Sequence, residues 1–246
     1  MKLSFVIPAY NEQDYVGECI ESIKREGKSN PYPIEIIVVN NASTDKTAAV
    51  ARSYPEVKVI DEPHKGLVWA RSAGFLASSG DLVANIDADS RLSTGWLKKV
   101  MDAFSSDPSL VALSGPFIHY DLESRTKRFL VWFWYVLVFV SQGMTKALFG
   151  TGAFLQGGNY VVRRRALQEI GGYDRRIEFY GEDSDIGRRI VKVGKVIFTF
   201  KLPVYSSARR IQREGMIVTA FRYTINYFWG LIFGKSFHNT YQDVRH

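Results

Sequence analysis

The chain is poor in the residues that staple or metallate a fold: its 246 residues include a single cysteine, Cys19, and 4 histidines. One thiol excludes an internal disulfide and a cysteine-based zinc cluster, and it is compatible with a reducing compartment. Long apolar runs are also scarce. FLVWFWYVLVFV at 129–140 stops after 12 residues, and MIVTAFRYTINYFWGLIFG at 216–234 is broken by Arg222; both fall short of an uninterrupted spanning segment. The opening run MKLSFVIPAYNE ends its apolar part at Pro8, too short for a signal-peptide core with a cleavage region, and is expected to be a first strand. There is no zinc finger, no RNA-binding sheet motif and no regular platform of basic and aromatic residues, so nucleic acid is not an expected partner.

What is present is enough apolar sequence for one large core and a formal charge of +7, which suits an anionic ligand or an acidic surface without choosing between them. Apolar or β-branched runs recur at regular spacing: LSFVIPA from Leu3, IEIIVVN at 34–40, VKVID at 57–61 and LVANID at 82–87. Helix-like segments lie between them, beginning near Asn11, Thr44 and Gly66. In the first of these, Tyr15, Cys19, Ile20 and Ile23 form the apolar stripe of a helix laid on a sheet. Alternating strand and helix predict an α/β domain with a mainly parallel central sheet, flanking helices and a Rossmann-like nucleotide-binding half. Residues 1–215 are read as this domain, with an apolar insertion at 122–148, and 216–246 as an aromatic helix and tail. For the two apolar segments three readings stand: a buried or dimer-forming helix, contact with a membrane surface, or a span. The bases Lys127, Arg128 and Lys146 beside the first suit an interface.

Ligands of such sheets collect beyond the carboxyl ends of the strands, and there the chain places two carboxylates, Asp87 and Asp89, separated by one small residue. Crowded negative charge calls for a cation; Mg or Mn prefers oxygen ligands and can also hold phosphate. At the two neighbouring strand ends Asn11 is a candidate helix cap, Glu12 supplies a carboxylate, and Ser43, Thr44 and Asp45 are candidate caps of the next helix. In the second half Gly157 and Gly158 permit close backbone approach, and GEDSDIGRRI puts Glu182, Asp183 and Asp185 at an expected helix start. An acid there that faces the cleft can take a proton from a hydroxyl. Arg188, Arg189, Arg209 and Arg210 are potential partners for carboxylate or phosphate.

These segments together resemble family 2 glycosyltransferases of the GT-A fold, over about residues 2–210. The resemblance rests on VIPAYNE near the start, VVNNASTD at 38–45, KGLVWARSAGFLASSGD at 65–81, IDADS at 86–90, GGNYVVRRRALQEIGGYD at 157–174 and GEDSDIGRR at 181–189. It implies inverting transfer from a nucleoside-diphosphate sugar to an acceptor hydroxyl, with Mn or Mg as cofactor. Pro8, Tyr10 and Glu12 would shape the nucleoside pocket, Asn41 would stand at the base-reading position, and Lys65, Gly66 and Arg71 would pass beside the diphosphate. Asp87 and Asp89 match the metal-binding pair, Asp183 the general base, and Glu182 its supporting neighbour. Arg209 and Arg210 match an element that closes over the donor.

Two departures qualify the expectation. Asn40 and Asn41 stand where the family commonly has aspartates, and an amide donates as well as accepts, which loosens the base preference: UDP-sugar remains the first expectation, with GDP- and dTDP-sugars behind it. The Gln-x-x-Arg-Trp motif of processive relatives is missing; Gln212 and Arg213 do not supply it. That favours transfer of one residue to a small molecule, a lipid-linked acceptor or a glycan precursor, by a cytoplasmic protein with a membrane surface or a second copy of itself as a further partner. A non-catalytic nucleotide-sugar-binding protein and a sugar nucleotidyltransferase are the alternatives. The second lacks the Gly-rich basic signature that such a resemblance would require near the start.

Overall fold

The computed structural model describes residues 1–149, 154–177 and 181–233. The expected 216–246 segment is therefore seen as far as 233, and its tail at 234–246 lies outside the described residues, as do 150–153 and 178–180 within the GTG and EFYG stretches. In chain order the elements are β1 (Leu3–Ala9), α1 (Val16–Lys28), β2 (Ile34–Asn41), α2 (Thr47–Arg52), β3 (Val57–Glu62), α3 (Leu67–Ala77), β4 (Leu82–Ile86) and β5 (Ser90–Leu92). They continue with α4 (Trp96–Ser106), β6 (Leu110–Ser114), β7 (Phe117–His119), α5 (Arg125–Phe149), β8 (Asn159–Arg163) and α6 (Arg164–Glu169). The last are α7 (Glu182–Ile190), β9 (Lys195–Phe198), β10 (Val204–Ser206), α8 (Arg209–Glu214) and α9 (Met216–Phe233).

Among the described residues, seven strands form one sheet in the order β3-β2-β1-β4-β8-β6-β9. Only β8 runs against the others, antiparallel to both β4 and β6. The predicted α/β architecture and all four predicted strands are therefore present. Strand β4 is buried at every position, which explains its uncharged run: both faces of a covered parallel sheet are dry. One face packs α1 and α4 against Phe5, Ile7 and Ala84, with Trp96 fully buried. The other packs α3, α6 and α7 against Val6, Val83 and Val162.

A second sheet, β5-β10-β7, stands over the carboxyl end of β4. Buried Asn159 ties it down, donating from Nδ2 to the carbonyls of Pro116 (3.3 Å) and Leu202 (2.9 Å) and accepting from Trp96 Nε1 at 3.3 Å. Glycine is required where the two sheets meet, because a Cβ on Gly115 would collide with the Leu202 carbonyl.

Two capping expectations are corrected. Asn11 does not cap α1, whose first turn has no side-chain cap; it has φ 49° and its Oδ1 accepts from Thr44 N at 2.9 Å. The Asx side chain is drawn across to the neighbouring loop because the parallel pairing of β1 with β2 brings the two loops together. Likewise α2 begins only at Thr47, so Ser43 and Thr44 are loop residues, while Asp45 accepts from Thr47 N at 2.9 Å and from Gln13 N at 3.1 Å. Among the described residues no helix is long and apolar enough to cross a membrane.

Candidate active site

Four chain segments converge where the two sheets meet. Strand β4 runs out into Asp87 and Asp89; β1 leads into Glu12; α3 carries Arg71; and α7 starts with Glu182 and Asp183. A fifth, β10, pairs with β5 at Ser206 and Ser90 and so delivers Arg209 at the head of α8. Asp121 holds that delivery, accepting from Ala208 N and Ser207 Oγ, both at 2.6 Å.

The carboxylates are met by two guanidinium groups. Arg71, 1% exposed, bridges Asp87 Oδ1 at 3.1 Å and Glu182. Burying a guanidinium is costly unless it is paired on both sides, and its ring neighbour Tyr160, 5.5 Å away, adds a cation-π contact. Below it Tyr173 donates to buried Asn85 at 3.1 Å, and Tyr160 donates to Glu182 at 3.5 Å. Arg71 and Tyr160 thus fix the Glu182 carboxyl at the start of α7. Arg209 bridges Glu12 and Asp89, the latter at 3.0 Å. Burial opposes its charge, but Asp89 and Glu12 outweigh that and hold it firmly protonated.

Asp183 is held differently. Its Oδ2 accepts from Gly157 N at 3.1 Å and its Oδ1 from Ser184 N at 2.7 Å. Burial pushes its carboxyl above the ordinary value, and the N–H groups of Ser184 and Gly157 with the charge of Arg71 offset this only in part. A carboxylate raised in this way is suited to accept a proton near neutral pH. Gly158, at φ +82°, lies so close to Asp87 that a Cβ there would occupy the space of the carboxylate. The expected close approach of the Gly157-Gly158 pair is thereby located: one glycine faces each acidic group.

Glu12, Arg71, Asp87, Asp89, Gly157, Glu182, Asp183 and Arg209 line one cavity of about 670 Å³, together with Pro8 and Arg210. Tyr10, Asn41 and Lys65 are not among its lining. Lys65 Nζ sits 3.9 Å from the centroid of the Tyr10 ring. Asn41 is buried, with Oδ1 accepting from Gly66 N at 2.8 Å and Nδ2 donating to the His64 carbonyl at 2.7 Å. Its amide is therefore committed to the loop that enters α3. Arg210 Nη1 is 3.3 Å from Glu214 on its own helix. Arg188 and Arg189 both turn to Asp185, and Arg189 also donates to the carbonyls of Ile170 and Gly172; these three residues hold scaffold instead of facing the cavity.

Sequence reasoning missed three lining residues. His119 has an Nδ1 with no hydrogen-bond partner among the described residues, and burial lowers its pKa. Gln156 accepts from Tyr135 of α5 at 2.9 Å. A lone histidine, glutamine or tyrosine carries no signal until the fold groups them.

Asp87 and Asp89 suit a hard divalent ion that takes its remaining ligands from phosphate and water. Among the described residues no group of three or more His, Cys, Asp or Glu side chains converges as a cage, so such an ion would be completed by a substrate.

The mostly parallel sheet with flanking helices is an α/β fold of the GT-A class. Residues 4–171 match the model of glycosyl transferase family 2, and the chain belongs to that family. The glucosyl-dolichyl phosphate glucuronosyltransferase of Haloferax volcanii is 24% identical over 186 residues, 71% of this chain and 56% of that protein. A dolichyl-phosphate beta-glucosyltransferase of Trichomonas vaginalis is 36% identical over 96 residues, 35% of this chain and 28% of its own length. The chain thus spans less than two thirds of either relative. Among solved structures, the mannosyltransferase PcManGT of Pyrobaculum calidifontis, in complex with GDP-Man and Mn2+, superposes with TM-score 0.65 at 21% identity, covering 91% of this chain and 64% of that one. The glucosyl-3-phosphoglycerate synthase of Mycobacterium tuberculosis, with Mn2+, UDP-Glc and phosphoglyceric acid, superposes with TM-score 0.59 at 18% identity, covering 92% and 78%. These structures share the fold.

Proposed function

We propose that the chain is a metal-dependent, inverting, non-processive glycosyltransferase that moves one sugar from a nucleoside-diphosphate sugar to an acceptor hydroxyl. The supporting observation is that Asp183 lines the same cavity as Asp87 and Asp89. That arrangement puts a carboxyl suited to deprotonation beside a pair suited to a cation.

In this reading Asp183 removes the proton of the acceptor hydroxyl as its oxygen forms a bond to the anomeric carbon. The bond from that carbon to the diphosphate oxygen breaks, and the diphosphate leaves with the electron pair. Attack from the face opposite the leaving group inverts the centre, and a single base suffices. Asp87 and Asp89 would hold a divalent ion, which would supply positive charge against the departing diphosphate. Arg209 transfers its hydrogen bonds from Glu12 and Asp89 to phosphate when the donor enters, and Arg210 is a second phosphate contact. Glu182 positions Asp183. Pro8, Tyr10 and Glu12 shape the nucleoside pocket with Lys65 at its edge, and Asn41 acts on the base through the loop it braces. UDP-sugar is the favoured donor, with GDP- and dTDP-sugars as alternatives.

The domain proper is residues 1–215, with α9 and the tail appended. Exposed Phe129 and Trp132 follow exposed Arg125, Lys127 and Arg128 on α5, which favours peripheral contact with an anionic membrane face in the cytoplasm. Flotation with phosphatidylglycerol vesicles tests this contact; protein wholly in the soluble fraction, or a dimer burying the same side chains, removes it.

The test of the function is a calorimetric panel of UDP, GDP, dTDP and CMP, each with Mn, Mg or chelator, because a ligand that binds the native state shifts its stability. One diphosphate binding only with metal supports the proposal and selects the donor. Silence across the panel would overturn it.

A further inference from the structure

The cavity is lined by two chemically distinct sets of side chains: Asp183, Gln156 and His119 are polar, whereas Leu130, Phe133 and Leu137 of α5 with Met216 and Phe221 of α9 are apolar. The apolar set is a built feature. Trp134 of α5 donates to Thr224 of α9 at 3.2 Å, which ties the two helices together across the cavity. Tyr135, one residue on, is 4% exposed and donates to Gln156 at 2.9 Å, accepts from Phe117 N at 3.1 Å, and stacks on Phe198. Because Gly157, next to Gln156, donates to Asp183, the apolar wall is held in register with the candidate base.

We propose that this apolar arm seats the hydrocarbon tail of an amphiphilic acceptor, a lipid whose hydroxyl-bearing head lies against Asp183; this rests on the glycosyltransferase reading above. Leu130, Phe133, Leu137 and Phe221 are 44%, 44%, 52% and 66% exposed, so the wall is open to water. A wholly polar acceptor would leave it hydrated, whereas a hydrocarbon chain removes it from water at each methylene. Sharing one cavity with the carboxylate makes the occupant a substrate whose reactive hydroxyl and tail are joined. The Nδ1 of buried His119 has no hydrogen-bond partner among the described residues and is available to the head.

The test is the affinity of the full chain for n-alkyl β-D-glucosides from ethyl to decyl, below their micellar concentrations, by calorimetry. Affinity is expected to rise on the order of threefold per methylene while the tail is being buried. Leu130→Asp and Phe221→Asp, at exposed positions outside the core, are each expected to weaken decyl glucoside at least about tenfold and to leave metal-dependent nucleotide binding unchanged. Trp132→Asp, on the same helix but outside the cavity lining, is expected to change neither. Affinity independent of chain length overturns the inference, and a dimer by sedimentation would then assign the wall to a second copy. Equal loss in Trp132→Asp and Leu130→Asp also overturns it, because the binding is then general surface adsorption. A silent nucleotide panel with chain-length dependence intact removes the transferase reading alone, whereas normal nucleotide binding without chain-length dependence removes only the tail site.

Discussion

Arg209 lies 3.0 Å from Asp89 and also pairs with Glu12, so one guanidinium closes two of the acidic segments of the cavity. It occupies the electrostatic position that a bound cation would share. Replacing it with alanine leaves Glu12 and Asp89 facing each other without that charge. Arg209→Ala is expected to weaken nucleoside-diphosphate binding at least about tenfold, the scale of one charge-assisted hydrogen bond, and to make it more dependent on metal, as read by calorimetry across a manganese titration. Unchanged affinity would place Arg209 outside donor binding.

Asp89→Ala should abolish the metal-dependent part of diphosphate binding, because it removes one of the two carboxylates proposed to hold the cation. Retention of near-normal affinity with manganese over chelator would reassign the metal pair.

Asp183→Asn is isosteric and keeps an acceptor oxygen for Gly157 N, so the fold and donor binding are expected to persist while transfer falls roughly 10²- to 10⁴-fold. Burial raises the Asp183 pKa, so kcat/KM of the parent should rise with pH through a value above the ordinary aspartate range. The variant should lose that limb. The linkage to stability has the opposite sense: a raised carboxyl favours the protonated folded state, so its contribution is full below the unfolded pKa and is lost as pH rises through the folded one. Normal turnover by the purified variant would remove the base assignment.

Gly158→Ala should be costly twice. At φ +82° a side chain is strained, and its Cβ would displace Asp87. A loss of about 1–2 kcal/mol in stability is expected, with weakened manganese-dependent binding beyond what the stability change explains. Chemical denaturation and calorimetry on the same preparation separate the two effects.

Glu35 anchors the far end of the sheet. Burial raises its pKa, but hydrogen bonds from Ser4, Ser79 and Lys2 outweigh this and depress it to about 2. The stability it supplies is present above the ordinary value of 4.5 and is lost as pH falls toward about 2. Glu35→Gln should cost about 1–3 kcal/mol at neutral pH and flatten the acid side of the stability profile; parallel profiles would show that the charge contributes nothing there.

Much of this architecture was legible because it is local. Strands β1 to β4 announced themselves by uncharged β-branched runs, and α1 by its apolar stripe. Less legible were the caps, since Asn11 chose a cross-loop partner that only the pairing of β1 with β2 supplies. Asn41 had the position of a base reader, yet its amide is used up on the loop at 62–66, a commitment invisible to residue type.

By itself the sequence determined that this is an α/β chain with carboxylates at a strand end and a further acidic pair at a helix start, because periodicity, glycine placement and residue chemistry are written along the backbone. Only the tertiary structure decided which acids meet which arginines, that β8 runs backward between β4 and β6, and that α5 and α9 wall the cavity holding Asp183. Those outcomes depend on long-range pairing and on the burial that makes an unpaired charge too costly to keep, and neither is a property of any single stretch of chain.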